Sequence, residues 1–253
     1  MAAFGWEFFA LGIPAIIFGG ISKAGFGSGA AFVAGAILAL VVPPGLALGI
    51  VLPLFMLVDA ATLRPYWGRW HWPSAKGLMI GAVPGCLLAA WLYTVVDADV
   101  FRLLIGLICL VFVAFQLAQS RGWLADRRVP FSRPVAWFAG LVSGFSSFVS
   151  HAGGPPAAMF LLSQGLSKTA YQATTVVAFW AINWMKAIPY AFLGIFSWDS
   201  IIGSVLLAPF ALLGAWVGVR AHHLVPERPF FLLTYALLVI TGLRLIWVAV
   251  GGS

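Results

Sequence analysis

The apolar positions of this chain come in long unbroken blocks rather than in the one-sided stripes of a soluble helix. Blocks near the roughly 20 residues that span a bilayer fall at 46–63, 77–96, 100–118, 170–195, 200–219 and 229–250, and each predicts a transmembrane helix. Two further apolar stretches, 8–42 and 135–165, are too long for one helix and are interrupted. The first carries Gly19, Gly20, Gly25, Gly27 and Gly29; the second carries Gly140, Gly144, Gly153, Gly154, Pro155 and Pro156. Clustered glycine and proline break a helix, and broken backbone at membrane depth survives only where protein or a water-filled cavity satisfies its polar groups. Each stretch therefore reads as a hairpin of two short helices around a break, either re-entrant or fully crossing.

The two halves of the chain repeat. PGCLLAAW at 84–91 aligns with PFALLGAW at 209–216, an offset of 125 that also carries Gly29 onto Gly154. An offset of 124 pairs Pro65 and Tyr66 with Pro189 and Tyr190, and Asp59 with Asn183; an offset of 126 pairs Trp72 with Trp198. Several matches in order at nearly constant spacing indicate an internal duplication.

Charge reverses between equivalent connections. The 64–76 connection carries Arg64, Arg69 and Lys76, whereas its counterpart at 195–200 carries only Asp199. The 94–100 connection carries Asp97 and Asp99, whereas 220–228 carries Arg220 and Arg228 against Glu227. Cytoplasmic loops are enriched in Lys and Arg. That rule places 64–76, 220–228 and 119–134 (Arg121, Arg127, Arg128, Arg133) in the cytoplasm. The expected architecture is an all-α polytopic membrane protein of two inverted-topology repeats, 1–118 and 135–253, joined by a basic cytoplasmic linker at 119–134. Each repeat is a broken glycine-rich helical hairpin followed by three transmembrane helices. Both termini are then periplasmic, in a bacterial inner membrane.

Composition narrows the function. Hydrophobic residues make up 62% of the chain and charged ones 8%, against about 25% charged in soluble domains. That excludes an ordinary soluble enzyme, a disordered tail and a nucleic-acid-binding module. The net charge of +7 is loop charge facing anionic headgroups rather than the footprint of a polyanionic partner. Cys86 and Cys109 lie inside apolar runs and are expected as buried unpaired thiols. The first residues lack a basic n-region, so no cleavable signal peptide is expected. Neither a P-loop nor a dinucleotide fingerprint occurs, and His222 and His223 have no carboxylate pair or cysteine cluster nearby. No enzyme activity, cofactor or metal site is expected.

The breaks themselves carry candidate chemistry. They read SKAGFGSG at 22–29 and SHAGGPP at 150–156, each followed by a short apolar helix. The first-turn N–H groups of such a helix are unpaired and favour an anion. Lys23, Gly25, Gly27, Ser28 and Gly29 in the first break, with Ser150, His151, Gly153 and Gly154 in the second, form the expected binding set. Other intramembrane polar residues are Asp59, Asn183, Lys186, Gln172, Thr174 and Thr175. A charge at a helix centre costs about 2.5–3.5 kcal/mol on insertion scales, so Asp59 and Lys186 need a partner, a cavity or a role. Proton coupling through Asp59, Asn183 and Lys186 and a structural polar pair across the repeats both remain open; His151 is a further candidate for the proton. Trp180, Trp184 and Tyr190 are expected to line an apolar part of the path, and Arg102 and Arg244 to snorkel from helix ends.

The first hairpin (GGISKAGFGSGAAF), the second (GLVSGFSSFVSHAGGPPAAM), the basic central loop and the length resemble the sulfite exporter TauE/SafE family, also called the TSUP family. Ser28 stands where many members carry a run of three glycines. The resemblance implies a permease for sulfite, sulfonates such as sulfoacetate, or related sulfur-containing anions, with Lys23 to Gly29 and Ser150 to Pro156 as the motif positions. The resulting expectation is a secondary transporter, an exporter, binding a small sulfur anion at midplane between two broken-helix N-termini. Its partners are that anion, the bilayer and a coupling proton, with a homo-oligomer left open. An uptake permease or a channel for another anion uses the same donors, and a non-transporting scaffold subunit is the remaining alternative.

Overall fold

The structure is a computed structural model that describes residues 4–26, 30–122, 131–221 and 227–251. Ten helices account for the described fold. The first half contains α1 (Trp6–Gly25), α2 (Val33–Leu38), α3 (Pro44–Leu63), α4 (Trp72–Val95) and α5 (Ala98–Ser120). The second contains α6 (Arg133–Ser150), α7 (Gly154–Ser163), α8 (Lys168–Phe192), α9 (Trp198–Ala221) and α10 (Glu227–Ala249). The six apolar blocks appear as α3, α4, α5, α8, α9 and α10. Local chemistry sets several of the starts: Pro lies in the first turn of α3, α4, α6 and α7, where its missing N–H costs nothing. Asp97 caps α5 by accepting from the Asp99 and Val100 amides, and Ser167 caps α8 by accepting from Ala170.

Six helices, α1, α3, α4, α5, α9 and α10, are long and apolar enough to cross a membrane. Helix α8 is 25 residues long but less apolar, because it carries Gln172, Thr174, Thr175, Asn183 and Lys186, all turned inward. Large apolar side chains such as Leu87, Val111, Leu213 and Ile240 point outward, and Trp6, Trp72, Trp91, Trp198 and Trp247 stand exposed near helix ends. This is the distribution that lipid and its headgroup interface select.

Both glycine-rich stretches form a helix, a break and a second helix, but the expected pair of short helices is corrected. The first arms, α1 and α6, run 20 and 18 residues; only the return arms, α2 and α7, are short, at 6 and 10. Gly19, Gly20, Gly140 and Gly144 do not break anything. They lie inside α1 and α6 and let another helix touch the backbone. A Cβ on Gly20 would meet the Ala211 carbonyl of α9 at 2.8 Å, and one on Gly144 the Ala82 carbonyl of α4 at 2.4 Å. The partners reciprocate: a Cβ on Gly214 would meet the Ile17 carbonyl at 2.4 Å, and one on Gly81 the Trp137 carbonyl at 2.0 Å. Small residues at such seams allow the backbone approach that drives helix association in lipid.

Helices in corresponding positions of the two halves pack in corresponding ways. Helix α1 pairs with α9 as α6 pairs with α4, so each half lends its hairpin to the other half's fourth helix. Helices α3 and α8 meet centrally, and α5 meets α10. The α2 arm folds back along α1, with Gly19 against Ala34 and Gly12 against Leu38.

Candidate functional site

The ends of the two long arms converge on α3 and α8. Lys23, near the end of α1, places its Nζ 2.8 Å from Asp59 Oδ1 on α3. The other carboxylate oxygen, Asp59 Oδ2, accepts from Asn183 Nδ2 of α8 at 2.7 Å. The Asp59–Asn183 pairing expected at an offset of 124 is therefore a direct hydrogen bond across the repeats. The ammonium of Lys23 also stands 5.3 Å from the ring centroid of Phe55 and 5.6 Å from that of Phe179, within cation–π range. Phe55 and Phe179 are separated by the same 124 residues. The sequence reading missed both rings, although that spacing was the signal that pointed to them.

A second cluster lies across Phe55. Helix α6 ends at His151, whose φ of 58° makes it the sole non-glycine with positive φ among the described residues. Helices usually end this way at glycine, and a bulkier residue there stores strain that the surroundings must hold. Three contacts hold it. Its ring packs edge-on to Phe55 with centroids 5.4 Å apart, its Nε2 lies 3.3 Å from the Leu48 carbonyl, and its Nδ1 lies 3.0 Å from Lys186 Nζ. An Nε2–H tautomer satisfies both nitrogens: it donates to Leu48 and leaves Nδ1 to accept from Lys186 Nζ. Lys186 Nζ also donates to the Ser147 carbonyl at 3.1 Å. Ser147 is the residue equivalent to Lys23 at an offset of 124. The α2 arm closes over this cluster, since a Cβ on Gly35 would touch His151 Cδ2 at 3.4 Å.

Lys23, Asp59, Asn183, His151 and Lys186 are all buried, none more than 6% exposed. The structure thus brings together the charged and polar candidates. Gly25 and Gly153 are also points of close packing. A Cβ on Gly25 would strike the Gly218 carbonyl at 2.4 Å, and one on Gly153 the Ser143 carbonyl at 2.6 Å and the Phe179 ring at 2.7 Å. These two glycines permit close approach of backbone and rings, and Gly154 is buried at the start of α7. Ser150 donates back into its own helix, to the Ser146 carbonyl. In the first hairpin the Ala30 amide is taken by Ser22 Oγ at 3.2 Å, and α2 starts only at Val33. Gly27, Ser28 and Gly29, like His222 and His223, lie outside the described residues. Trp180 and Trp184 are corrected: both face outward from the bundle, and of the three expected path aromatics only Tyr190 is interior.

Two tyrosines brace the arms symmetrically. Tyr66 donates to the Ala24 carbonyl at 3.1 Å and Tyr190 to the Phe148 carbonyl at 2.7 Å, and donors and acceptors are each 124 residues apart. Burial pushes the Tyr66 phenol up to about 12, so it remains a donor at physiological pH. Gln172 adds bonds from its Nε2 to the Lys23 and Ala24 carbonyls, each at 3.0 Å. A cavity of about 590 Å³ ends against Gly25, Phe26 and Gln172, two residues from Lys23. Its walls include Gln116, Gln119 and Lys168, beside the 119–134 linker.

The charge inventory decides what this arrangement can do. Two lysines and one carboxylate lie buried together, with more basic groups than acids among them. Both cysteines are buried free thiols. No curated protein and no solved structure matches the chain. A model of the family described as "Sulfite exporter TauE/SafE" matches residues 12–245. Members of that family are transporters, not enzymes. An all-helical membrane chain matched over nearly its whole length, with hairpins meeting at a buried basic cluster, belongs to the sulfite exporter TauE/SafE family of TSUP permeases.

Proposed function

We propose that the chain is a secondary transporter that exports a small sulfur-containing anion, such as sulfite or a sulfoacetate-like organosulfonate, across a bacterial inner membrane. The observation that carries this reading is the pair of buried lysines where the two hairpins meet: Lys23 and Lys186 have one carboxylate, Asp59, between them, so a proton on both leaves one positive charge unbalanced. A buried charge without a counter-ion is costly, and an oxyanion supplies the missing negative charge. Hydrogen-bond donors from the break residues Ser28, Ser150 and the backbone around Gly27, Gly29, Gly153 and Gly154 complete the site in this reading. Asp59, Asn183 and Lys186 form its polar path.

The repeats, 1–118 and 135–253, are inverted about the α3–α8 crossing, so that exchanging the two hairpin conformations exchanges the open side. The cavity beside the 119–134 linker is then the cytoplasmic entry. Closure of the cluster to solvent favours alternating access over an open pore. Transporters with broken helices use half-helix ends and unwound backbone at the repeat interface in this way.

Thermal stabilisation of detergent-purified protein tests the reading, because a ligand that binds the native state raises the melting temperature by mass action. The expected result is a selective rise with sulfite, sulfoacetate or sulfate over acetate, taurine and chloride, reduced in Lys23→Ala, where the excess charge is gone. No rise with any of the sulfur anions overturns it.

A further inference from the structure

We infer that Lys186 is the proton-carrying residue of this site: it takes up a proton as the anion binds, so that anion and proton are loaded together. The inference rests on the anion site proposed above. Its starting point is the acid inventory. The chain has seven acidic residues. Glu7, Asp97, Asp99, Asp199 and Glu227 stand at helix starts, and Asp126 belongs to the linker. Among the described residues, Asp59 is left as the one acid within the bundle. Both of its oxygens are engaged, Oδ1 with Lys23 and Oδ2 with Asn183. Among the described residues, no carboxylate forms an ion pair with Lys186.

What surrounds Lys186 holds a proton without balancing its charge. Its contacts are a carbonyl, that of Ser147, and the Nδ1 of His151. The titratable groups of neighbouring elements that act on it electrostatically are Cys86 of α4, Lys23 of α1 and Asp59 of α3. Helix α7 offers none. With Lys23 cancelling Asp59, an ammonium at Lys186 is an unbalanced charge inside the membrane. An anion beside it removes that imbalance. Occupancy by the anion and protonation of Lys186 therefore favour each other, and such coupling is reciprocal by linkage. His151 is the positioning residue. Its left-handed backbone at the end of α6 aims Nδ1 at Lys186 while Nε2–H is tied to the Leu48 carbonyl of α3. The protonated lysine thus bonds to the hinge of one hairpin, where a change of conformation can sense it.

The proton balance is simple. A proton from solvent adds to the neutral amine of Lys186 as the anion enters. Both leave on the far side, and the amine returns neutral. Lys23 stays paired with Asp59 and exchanges nothing.

Isothermal calorimetry of purified protein measures this directly. Binding enthalpy is recorded in buffers of different ionisation enthalpy, and the slope counts protons taken up. The probes are sulfate, sulfoacetate and ethanesulfonate, none of which titrates near neutral pH. The expected slope is about one proton per anion bound at mildly alkaline pH, falling to near zero in Lys186→Arg, whose guanidinium holds its proton permanently. Lys186→Gln serves as a second variant and is expected to bind weakly, also without proton uptake. Binding with zero slope in the unaltered protein overturns the inference while leaving the anion site intact. A slope that persists in either variant assigns the proton to another group and overturns it too. Failure of every probe to bind removes the anion site, and the inference falls with it.

Discussion

Lys23 and Asp59 neutralise each other where water has almost no access, and a change at either strands the other. Removing one partner of a buried pair costs about 3–5 kcal/mol, so Lys23→Met is expected to lower the melting temperature strongly. Asp59→Asn in the same chain removes the stranded charge and is expected to recover most of the loss. The same double variant makes a second, sharper prediction. Lys23→Met alone leaves Asp59 and Lys186 with no net charge and weakens anion binding; adding Asp59→Asn restores one positive charge and restores binding. Binding that stays weak in the double variant would show that the Lys23 ammonium itself contacts the anion. The paired tyrosines act on a smaller scale. Tyr66→Phe and Tyr190→Phe each lose one buried hydrogen bond, about 1 kcal/mol, and near-equal melting shifts for the two would reflect their equivalent places.

At the level of elements, the glycine seams hold the hairpins. A Cβ at Gly81 would stand 2.0 Å from the Trp137 carbonyl, and one at Gly85 would stand 2.1 Å from the Leu141 carbonyl, both backbone atoms of α6 that no rotamer change can move. Gly85→Ala must therefore push α4 and α6 apart, an overpacking cost of about 1–3 kcal/mol. Gly214→Ala, against the Ile17 carbonyl, is expected to do the same to α9 and α1. Lower melting temperatures in both, with no loss in Gly68→Ala beyond the strain of its φ of 73° in an open turn, would confirm that the seams and not glycine content set stability. The sequence reading placed three glycines of these seams, Gly20, Gly140 and Gly144, among the breaks. Glycine in a seam and glycine in a break look alike in one dimension, because what separates them is a carbonyl contributed from more than 50 residues away.

For the whole molecule, inverted repeats make a directional prediction. Arg69 and Asp199 lie in corresponding connections of the two halves, both exposed, and the proposed inversion puts them on opposite sides. Cys86 and Cys109 are buried free thiols and are expected to stay silent. In intact cells, an impermeant maleimide should label Asp199→Cys at once and Arg69→Cys only after permeabilisation. Labelling of both from outside would end the inverted arrangement.

The amino-acid sequence alone determined the membrane class, the helix positions and the family, because bilayer thickness fixes the length of apolar runs and because the hairpin motifs are contiguous in the chain. It also put Asp59 and Asn183 at the same 124-residue offset as Pro65-Tyr66 and Pro189-Tyr190. Tertiary structure alone decided which charges are partners. Lys23 chooses Asp59, Lys186 chooses His151 and Ser147, and Phe55 lies between them, contacts between elements that crossing helices bring together. Charge balance is a property of a volume, not of a chain segment, and only folding encloses that volume.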